Sequence, residues 1–180
     1  MEKHPNVEYV MLSEKKIAKR VKELAAQMDK LYGGRTPVVV CIFKGSGLFF
    51  TDLIRNMKTP LTIDFMSVSS YGSGTTSGEL KIKQDLATDI TGRDVLIVED
   101  IIDSGNTLYN LKKLLNSRSP ASVNIVTLLD KPARREVPIE PEYTGFVIED
   151  EFVVGYGLDY AEEYRSLPYV GVLKRSVYEQ

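Results

Sequence analysis

VLIVEDIIDSGNTL, residues 95–108, is the stretch that decides the fold of this chain. Its first four residues are apolar without polar alternation, which is the pattern of a strand buried on both faces of a parallel sheet. Glu99 and Asp100 follow at the carboxyl end of that strand, where open α/β sheets bind their ligands. Residues 104–107 then form a small polar turn before a helical pattern, and backbone N–H groups in such a turn bind anions. The stretch predicts acids for sugar hydroxyls or a metal beside a cradle for a phosphate. The alternative is an ordinary strand, loop and helix with solvated acids.

The rest of the chain predicts an α/β domain with a parallel sheet, because strand patterns alternate with helical ones. Ser13 is expected to cap a helix ending at about residue 32, and a second helix should end near residue 57. A strand at 80–86 is expected to return as a hairpin from a Gly/Ser/Thr loop. The other predicted strands cover residues 37–43, 61–71, 95–98, 122–130, 145–148, 153–156 and the run YVGVL near the end.

Composition excludes several classes of protein. The formal net charge of −2 gives no general attraction to nucleic acid or to an anionic membrane. With one cysteine and one histidine, zinc sites of Cys/His spacing and a Ser-His-Asp triad are ruled out. Cys41 lies within VVVCIF and is expected to be a buried structural thiol. Neither the P-loop nor the G-x-G-x-x-G pattern is present.

Membrane and export signals are also missing from the sequence. No apolar run approaches the ~20 residues of a membrane span. The segment MEKHPNVEYV lacks the apolar core of a signal peptide. We therefore expect a cytoplasmic protein.

The stretch at 95–108 resembles the phosphoribosyl-pyrophosphate (PRPP) signature of type I phosphoribosyltransferases. SSYGSGTTSGELKI, LLDKPARR and FVVGYGLDYAEEYRSLPYVGVL are similar to segments of the hypoxanthine (or hypoxanthine-guanine) phosphoribosyltransferase family. The resemblance implies a type I phosphoribosyltransferase fold, with a parallel five-stranded sheet flanked by helices and a small hood. It implies a single domain over residues 1–180, with a core at roughly 10–130. The hood would come from the N-terminal segment and from roughly 132–180.

The same resemblance implies an activity. The expected enzyme transfers the 5-phosphoribosyl group from PRPP to hypoxanthine, and to guanine, with Mg²⁺ as cofactor and pyrophosphate as the second product. A transferase that prefers xanthine is an alternative, and a PRPP-sensing regulator that binds nucleic acid is another of a different class. Family habit implies a homo-oligomer, either a dimer or a tetramer, with no nucleic-acid or membrane partner.

For the sugar end of PRPP, the resemblance and the chemistry of the residues agree. The 5′-phosphate is assigned to the turn, through backbone donors and hydroxyls. Glu99 and Asp100 suit the ribose hydroxyls, and with Asp159 they are the candidate magnesium ligands. Asp103 is implied to be the general base near the purine imidazole nitrogen, or else it only caps the turn or the helix. The turn residues are Asp103, Ser104, Gly105, Asn106 and Thr107.

For the leaving group, the resemblance points to Lys44, Gly45 and Arg165 as pyrophosphate contacts. The peptide between Lys44 and Gly45 can adopt a cis form in the family, although a plain strand-to-helix turn is the alternative. Ser70 and Tyr71 are implied to be the closing contacts of a mobile lid that excludes water. Without the resemblance, the Gly/Ser/Thr run after them would be a flexible hairpin tip.

For the purine, Lys131 matches a lysine that meets the 6-oxo group. An ammonium only donates hydrogen bonds, so it suits hypoxanthine or guanine and offers nothing to the amino group of adenine. Phe152 is implied to stack on the base and Val153 to supply backbone hydrogen bonds, with Asp159 nearby. The alternatives are a solvated lysine, a core phenylalanine and surface residues of a loop; Arg134 and Arg135 are expected to be surface charges.

Overall fold

The computed structural model describes residues 2–70 and 80–179. Their secondary structure, in chain order, is β1 Val7–Leu12, α1 Glu14–Tyr32, β2 Val38–Phe43, α2 Gly47–Asn56, β3 Thr62–Ser70, β4 Leu80–Gln84, β5 Asp94–Ile102, α3 Asn106–Asn116, β6 Ser122–Asp130, β7 Tyr143–Val147, β8 Val153–Val154, β9 Val170–Leu173 and α4 Arg175–Tyr178.

The main sheet has the order β4-β3-β2-β5-β6-β7. Five of its strands run parallel to their neighbours, which confirms the predicted parallel five-stranded sheet; they are β3, β2, β5, β6 and β7. β4 adds a sixth strand at the edge and runs antiparallel to β3, as the predicted hairpin requires. Because β2, β5 and β6 are central and parallel, the loops after them meet at one edge of the sheet.

Helices cover both faces of this sheet, which explains the uninterrupted apolar run in β5. Leu96 and Val98 pack in the same buried cluster as α1 and α2. Val95 and Ile97 pack on the opposite face, against α3. α1 begins as predicted, because the Ser13 Oγ accepts a hydrogen bond from the backbone N–H of Lys16 at 3.3 Å.

Cys41 is fully buried in β2, as the sequence predicts. Its Sγ lies 3.3 Å from the Oγ of Ser46. Burial raises the pKa of the Cys41 thiol to about 11. The residue is therefore a small apolar packing group at neutral pH.

A second sheet has the antiparallel order β1-β9-β8, and its Leu12, Val170 and Val172 lie in the same buried cluster as α1 and α2. It joins the N-terminal segment to residues 153–173 and corresponds to the hood implied by the resemblance. The segment after residue 132 is divided between the two sheets, because β7 pairs in parallel with β6 and extends the core. The core therefore extends beyond the expected limit near residue 130.

A partly buried hydrogen bond joins the hood to the core. The Tyr156 hydroxyl, beyond β8, donates to the Oδ2 of Asp52 in α2 at 2.7 Å. Burial, together with this bond to Asp52, raises the pKa of Tyr156. In the part of the chain that the structure covers, no helix is both long and apolar enough to traverse a membrane.

Tyr156→Phe should lower the free energy of unfolding by about 1–2 kcal/mol, because Asp52 loses a neutral donor in a partly buried site. Urea denaturation measures this change. Tyr9→Phe is the matched control, since Tyr9 is 46% exposed and its substitution should change stability very little. Equal effects of the two substitutions would contradict the role given to the Tyr156–Asp52 bond.

Candidate active site at the carboxyl edge of the sheet

The ends of β2 and β5 and the start of α3 enclose a cavity of about 240 Å³. The predicted residues on the sugar side of the site contribute to its wall together with apolar side chains. The lining residues are Ile42, Phe43, Gly45, Val68, Glu99, Asp100, Ile101, Ile102, Asp103, Ser104, Gly105, Thr107 and Leu108. The order strand, acids, turn and helix that the sequence predicts is confirmed.

The two acids at the end of β5, Glu99 and Asp100, contact neighbouring backbone groups. Glu99 is buried, and its Oε1 accepts from the backbone N–H of Asp100 at 3.2 Å. Burial raises the pKa of Glu99 well above its ordinary value, and the neighbouring charge of Asp100 raises it further. A Cβ on Gly45 would lie 1.7 Å from the Asp100 Oδ2, so any other residue there would displace the Asp100 carboxylate. The loop assigned to pyrophosphate thus touches the acid assigned to ribose.

The polar turn leads directly into α3. Gly105 adopts φ +82° and takes the N-cap position, and no side chain caps the helix. Asp103 is therefore not the helix cap that was its alternative role. Ser104 Oγ lies 3.4 Å from the backbone nitrogen of Asn106 and accepts a hydrogen bond from it. Residues of the turn and of the first turn of α3 line the cavity, and the first N–H groups of a helix have no partner within the helix and are suited to bind an anion.

Asp103 and Lys131 lie side by side. The Lys131 side chain is only 7% exposed, and its Nζ lies 3.9 Å from the Asp103 Oδ1 and 3.6 Å from the Asp150 Oδ1. The Asp103 Oδ1 is buried and has no hydrogen-bond partner in the structure. Lys131 is therefore not the solvated lysine of the alternative interpretation, and Asp103 holds an unused acceptor beside it.

The expectation that Arg134 and Arg135 are surface charges is wrong for Arg135. Its side chain is only 14% exposed and pairs with Asp130. Arg134 is half exposed, and its Nε lies 3.5 Å from the Asp103 Oδ1. The sequence gives no local signal for the burial of Arg135, because its partner groups are the end of β6 and the backbone of the distant turn.

The predicted pyrophosphate contacts Lys44 and Arg165 are brought together by a residue that sequence reasoning missed. The Glu162 Oε2 lies 3.1 Å from the Lys44 Nζ and 3.2 Å from an Nη of Arg165. Hydrogen bonds from Lys44 and then Arg165 lower the pKa of Glu162. Arg165 also pairs with Asp159 at 2.8 Å, and its Nε is buried without a partner.

The cis peptide bond of this loop differs from the one expected. It lies between Phe43 and Lys44, one residue before the Lys44–Gly45 peptide. The carbonyl of Lys44 accepts from the backbone N–H of Gly47 at 3.2 Å, so the loop forms a turn that leads into α2. Gly157 packs on this turn, since a Cβ there would lie 2.0 Å from the Gly45 carbonyl oxygen.

Phe152 lies at the edge of the hood and is 37% exposed, so it is not the buried core residue of the alternative interpretation. Its ring stacks on Tyr178 with a centroid distance of 4.7 Å and meets the edge of Tyr160 at 5.6 Å. Val153 is buried and pairs with Val172 in the second sheet. Tyr178 is an aromatic neighbour that no sequence pattern indicated.

The predicted lid falls outside the described residues. Ser70 is the last residue of β3, where its backbone pairs with Leu80, and its side chain is not described. Tyr71 and the residues up to 79 are not described either. The lid therefore stays a prediction.

The acidic pair is suited to magnesium. Magnesium is bound through one or two carboxylates, with water and substrate phosphates completing its coordination. Glu99 and Asp100 supply two adjacent carboxylates at the cavity, whereas Asp159 is paired with Arg165. Within residues 2–70 and 80–179, no three Asp, Glu, His or Cys side chains cluster as a protein-only metal cage.

Together, the parallel sheet, the acidic pair and the anion turn define an α/β protein that binds a phosphorylated ligand at its carboxyl edge. A family model described as the phosphoribosyl transferase domain matches residues 10–161. The chain therefore belongs to the phosphoribosyltransferase family.

Relatives support this assignment over the full chain. The hypoxanthine-guanine phosphoribosyltransferase of Bacillus subtilis is 53% identical over 180 residues, which are 99% of this chain and 99% of that protein. The crystal structure of a hypoxanthine phosphoribosyltransferase from Staphylococcus aureus has a TM-score of 0.95 and 52% identity, covering 98% of this chain and 97% of that one. The bifunctional protein TilS/HprT of Listeria innocua is 53% identical over 178 residues, and the chain spans only 28% of its length.

The raised pKa of Glu99 predicts how stability depends on pH. The folded protein keeps a proton that the unfolded chain releases above its ordinary pKa of 4.5, so the free energy of unfolding falls as pH rises through this window. Glu99→Gln removes the titration, and its Tm relative to the wild-type protein should rise as the pH increases above 4.5. Thermal unfolding across this range measures the effect.

Glu140→Gln is the matched control for Glu99→Gln, because Glu140 is exposed. The control should follow the wild-type pH profile. A constant difference in Tm between Glu99→Gln and the wild-type protein at every pH would contradict the assignment.

Proposed function

We propose that this protein transfers the 5-phosphoribosyl group from PRPP to hypoxanthine and guanine, forming the nucleoside 5′-monophosphate and pyrophosphate. The observation that carries the proposal is the placement of buried Lys131 beside Asp103, where the phosphate turn begins. This arrangement supports the proposed roles of Lys131 as donor to a 6-oxo group and of Asp103 as acceptor for a purine N–H beside the phosphate turn. The names of the full-length relatives support the same acceptors.

The 5′-phosphate is held by the turn at residues 103–107 and by the N-terminus of α3. Backbone N–H groups and the hydroxyls of Ser104 and Thr107 donate to it. Asn106 supplies an amide rather than a charge, so the helix N-terminus and the backbone provide most of the attraction. The phosphate fixes the sugar beside the acidic pair.

The ribose ring lies over Glu99 and Asp100. The bond to pyrophosphate breaks ahead of the bond to the base, so positive charge develops on the ring, as in glycoside hydrolysis. The carboxylate of Asp100 stabilises this charge, and both acids accept hydrogen bonds from the ribose hydroxyls when ionised. A magnesium ion bound at the pair would neutralise charge on the pyrophosphate. Asp159, near the base, is the candidate ligand for a second ion.

Asp103 accepts the proton from the purine imidazole nitrogen as that nitrogen bonds to the anomeric carbon. Its buried Oδ1, which has no hydrogen-bond partner although Lys131 and Arg134 lie within ion-pair distance, is the acceptor for this proton. Lys131 donates to the 6-oxo group and sets the purine edge that faces Asp103. Phe152 stacks on the ring, and the backbone of Val153 hydrogen-bonds to its edge.

Lys44, Gly45 and Arg165 hold the leaving pyrophosphate. In the structure, Glu162 bridges the two cations as an anionic group of the chain itself. Pyrophosphate takes over these contacts when it binds, and Ser70 and Tyr71 close over the sugar to exclude water. A homo-oligomer and a cytoplasmic location also stay predictions; light scattering measures the first.

A base panel tests the proposed function. With PRPP and magnesium, hypoxanthine and guanine should give nucleotide, while adenine should give none, because its 6-amino group offers no acceptor to Lys131. Preferential use of xanthine would shift the acceptor while keeping the reaction. A lack of turnover with every 6-oxopurine would overturn the proposal.

Lys131→Met should lower kcat/KM for hypoxanthine by roughly 10- to 150-fold, which corresponds to the loss of one hydrogen bond from a charged group. The KM for PRPP should change little, because the phosphate turn is intact. Lys19→Met, on the exposed side of α1, is the control. Unchanged discrimination between hypoxanthine and adenine would remove the role of Lys131.

Asp103→Asn should lower kcat by about 10²- to 10⁴-fold, because the amide cannot accept the purine proton. Steady-state kinetics with saturating PRPP measures this loss. Asp150→Asn is the matched control, since Asp150 pairs with the same lysine and arginine but does not line the cavity. A similar loss in both variants would assign the effect to the ion pairs and not to proton transfer.

A further inference from the structure

Two consecutive residues, Arg135 and Glu136, follow the short 3-10 turn at Pro132–Arg134 and form hydrogen bonds with the phosphate turn. The Arg135 Nη1 donates to the backbone carbonyl of Asp103 at 2.5 Å, and its Nη2 pairs with the Asp130 carboxylate. Asp130 is the last residue of β6 and directly precedes Lys131. The Arg135 guanidinium therefore links the backbone of Asp103, the proposed base, to the last residue of β6, which directly precedes Lys131.

Glu136 makes the second pair of contacts. Its backbone N–H donates to the carbonyl of Ser104 at 3.0 Å. Its Oε2 accepts from the Asn106 side-chain amide at 2.7 Å. The same amide nitrogen lies 3.2 Å from the Ser104 Oγ, so Glu136 fixes both side chains that flank Gly105.

Packing makes these contacts specific to the turn conformation. A Cβ on Gly105 would lie 3.0 Å from the Arg135 Cδ and 2.6 Å from a methyl carbon of Ile139. The turn thus rests directly on the stem of Arg135. None of these groups lines the cavity where the phosphate would bind, apart from the turn itself.

We propose that Arg135 and Glu136 form a positioning clasp, which holds the phosphate turn in its binding shape and fixes its distance from Lys131. The inference rests on the proposed function, in which that turn binds the 5′-phosphate. Backbone donors bind an oxyanion well only when they are already aimed at it. The clasp orients the backbone donors of the turn through contacts with two carbonyl groups and one side-chain amide of the turn. Its own side chains are not proposed to contact the substrate.

The geometry of the clasp requires an arginine at residue 135. A planar fork donates to a carbonyl and a carboxylate at the same time, whereas an ammonium on a flexible stem cannot hold both in one orientation. At position 136, the acceptor oxygen matters and the charge does not. Glutamine at that position keeps an acceptor for Asn106, while alanine removes it.

Arg135→Lys should raise the KM for PRPP by about tenfold or more, because the turn donors are no longer held in place. The KM for hypoxanthine should change by less than about twofold. Glu136→Ala should raise the KM for PRPP several-fold, and Glu136→Gln should restore it to the wild-type value. Arg118→Lys is the matched control, since Arg118 forms a bidentate ion pair with Asp85 away from the site.

Ribose 5-phosphate provides a readout without turnover. Calorimetric titration should show weaker binding to Arg135→Lys and Glu136→Ala, with wild-type affinity in Glu136→Gln and Arg118→Lys. Thermal unfolding of the same variants separates this effect from a loss of folding. Weaker binding in the first two variants supports the clasp whether or not the base panel shows turnover.

Three results would overturn the clasp. The first is wild-type affinity for ribose 5-phosphate in Arg135→Lys. The second is an equal rise in the KM values for PRPP and hypoxanthine, which a purely structural role would give. The third is a Glu136→Gln variant that behaves as Glu136→Ala does.

Discussion

Close contact between backbone and carboxylate at Gly45 is the constraint on which the site depends. Gly45 lies against Asp100, and Gly157 lies against Gly45, with no space for a side chain at either position. This stack joins the end of β2, the acidic end of β5 and the loop of the hood that carries Arg165. The hood loop therefore lies against the Gly45 loop that lines the cavity, although the two loops are far apart in the sequence.

The site combines two opposite electrostatic situations. Glu99 is buried beside Asp100, and its raised pKa favours the neutral acid. Lys131 is equally buried but lies between two carboxylates. A buried charge is stable only when it is paired, so these environments are complementary. A neutral Glu99 reduces the repulsion that a polyanionic ligand meets, while Lys131 stays near the acceptor that it is proposed to serve.

Local sequence patterns predicted the helices and strands, whereas the ion pairs around the site depend on contacts between residues far apart in the sequence. The apolar run of β5 and the cap at Ser13 are visible in the sequence, because each is determined by neighbouring residues. The burial of Arg135 depends on a carbonyl 32 residues away, and the Lys44–Glu162 pair joins residues 118 apart. No periodicity encodes such pairs. The division of residues 132–180 between the two sheets was missed for the same reason, since β7 is a short strand whose partner alone defines its sheet.

Cys41 offers a practical consequence of the packing in β2. It is the sole cysteine of the chain, fully buried, with a thiol pKa of about 11. The thiolate is the nucleophile that attacks thiol reagents, so this buried residue, which stays a thiol at neutral pH, is unreactive while the protein is folded. A cysteine introduced at an exposed position can then be labelled selectively with a fluorophore or spin probe in the otherwise native sequence. With one such cysteine in the hood and a second in the core, the distance between them becomes measurable in solution without first removing a native thiol.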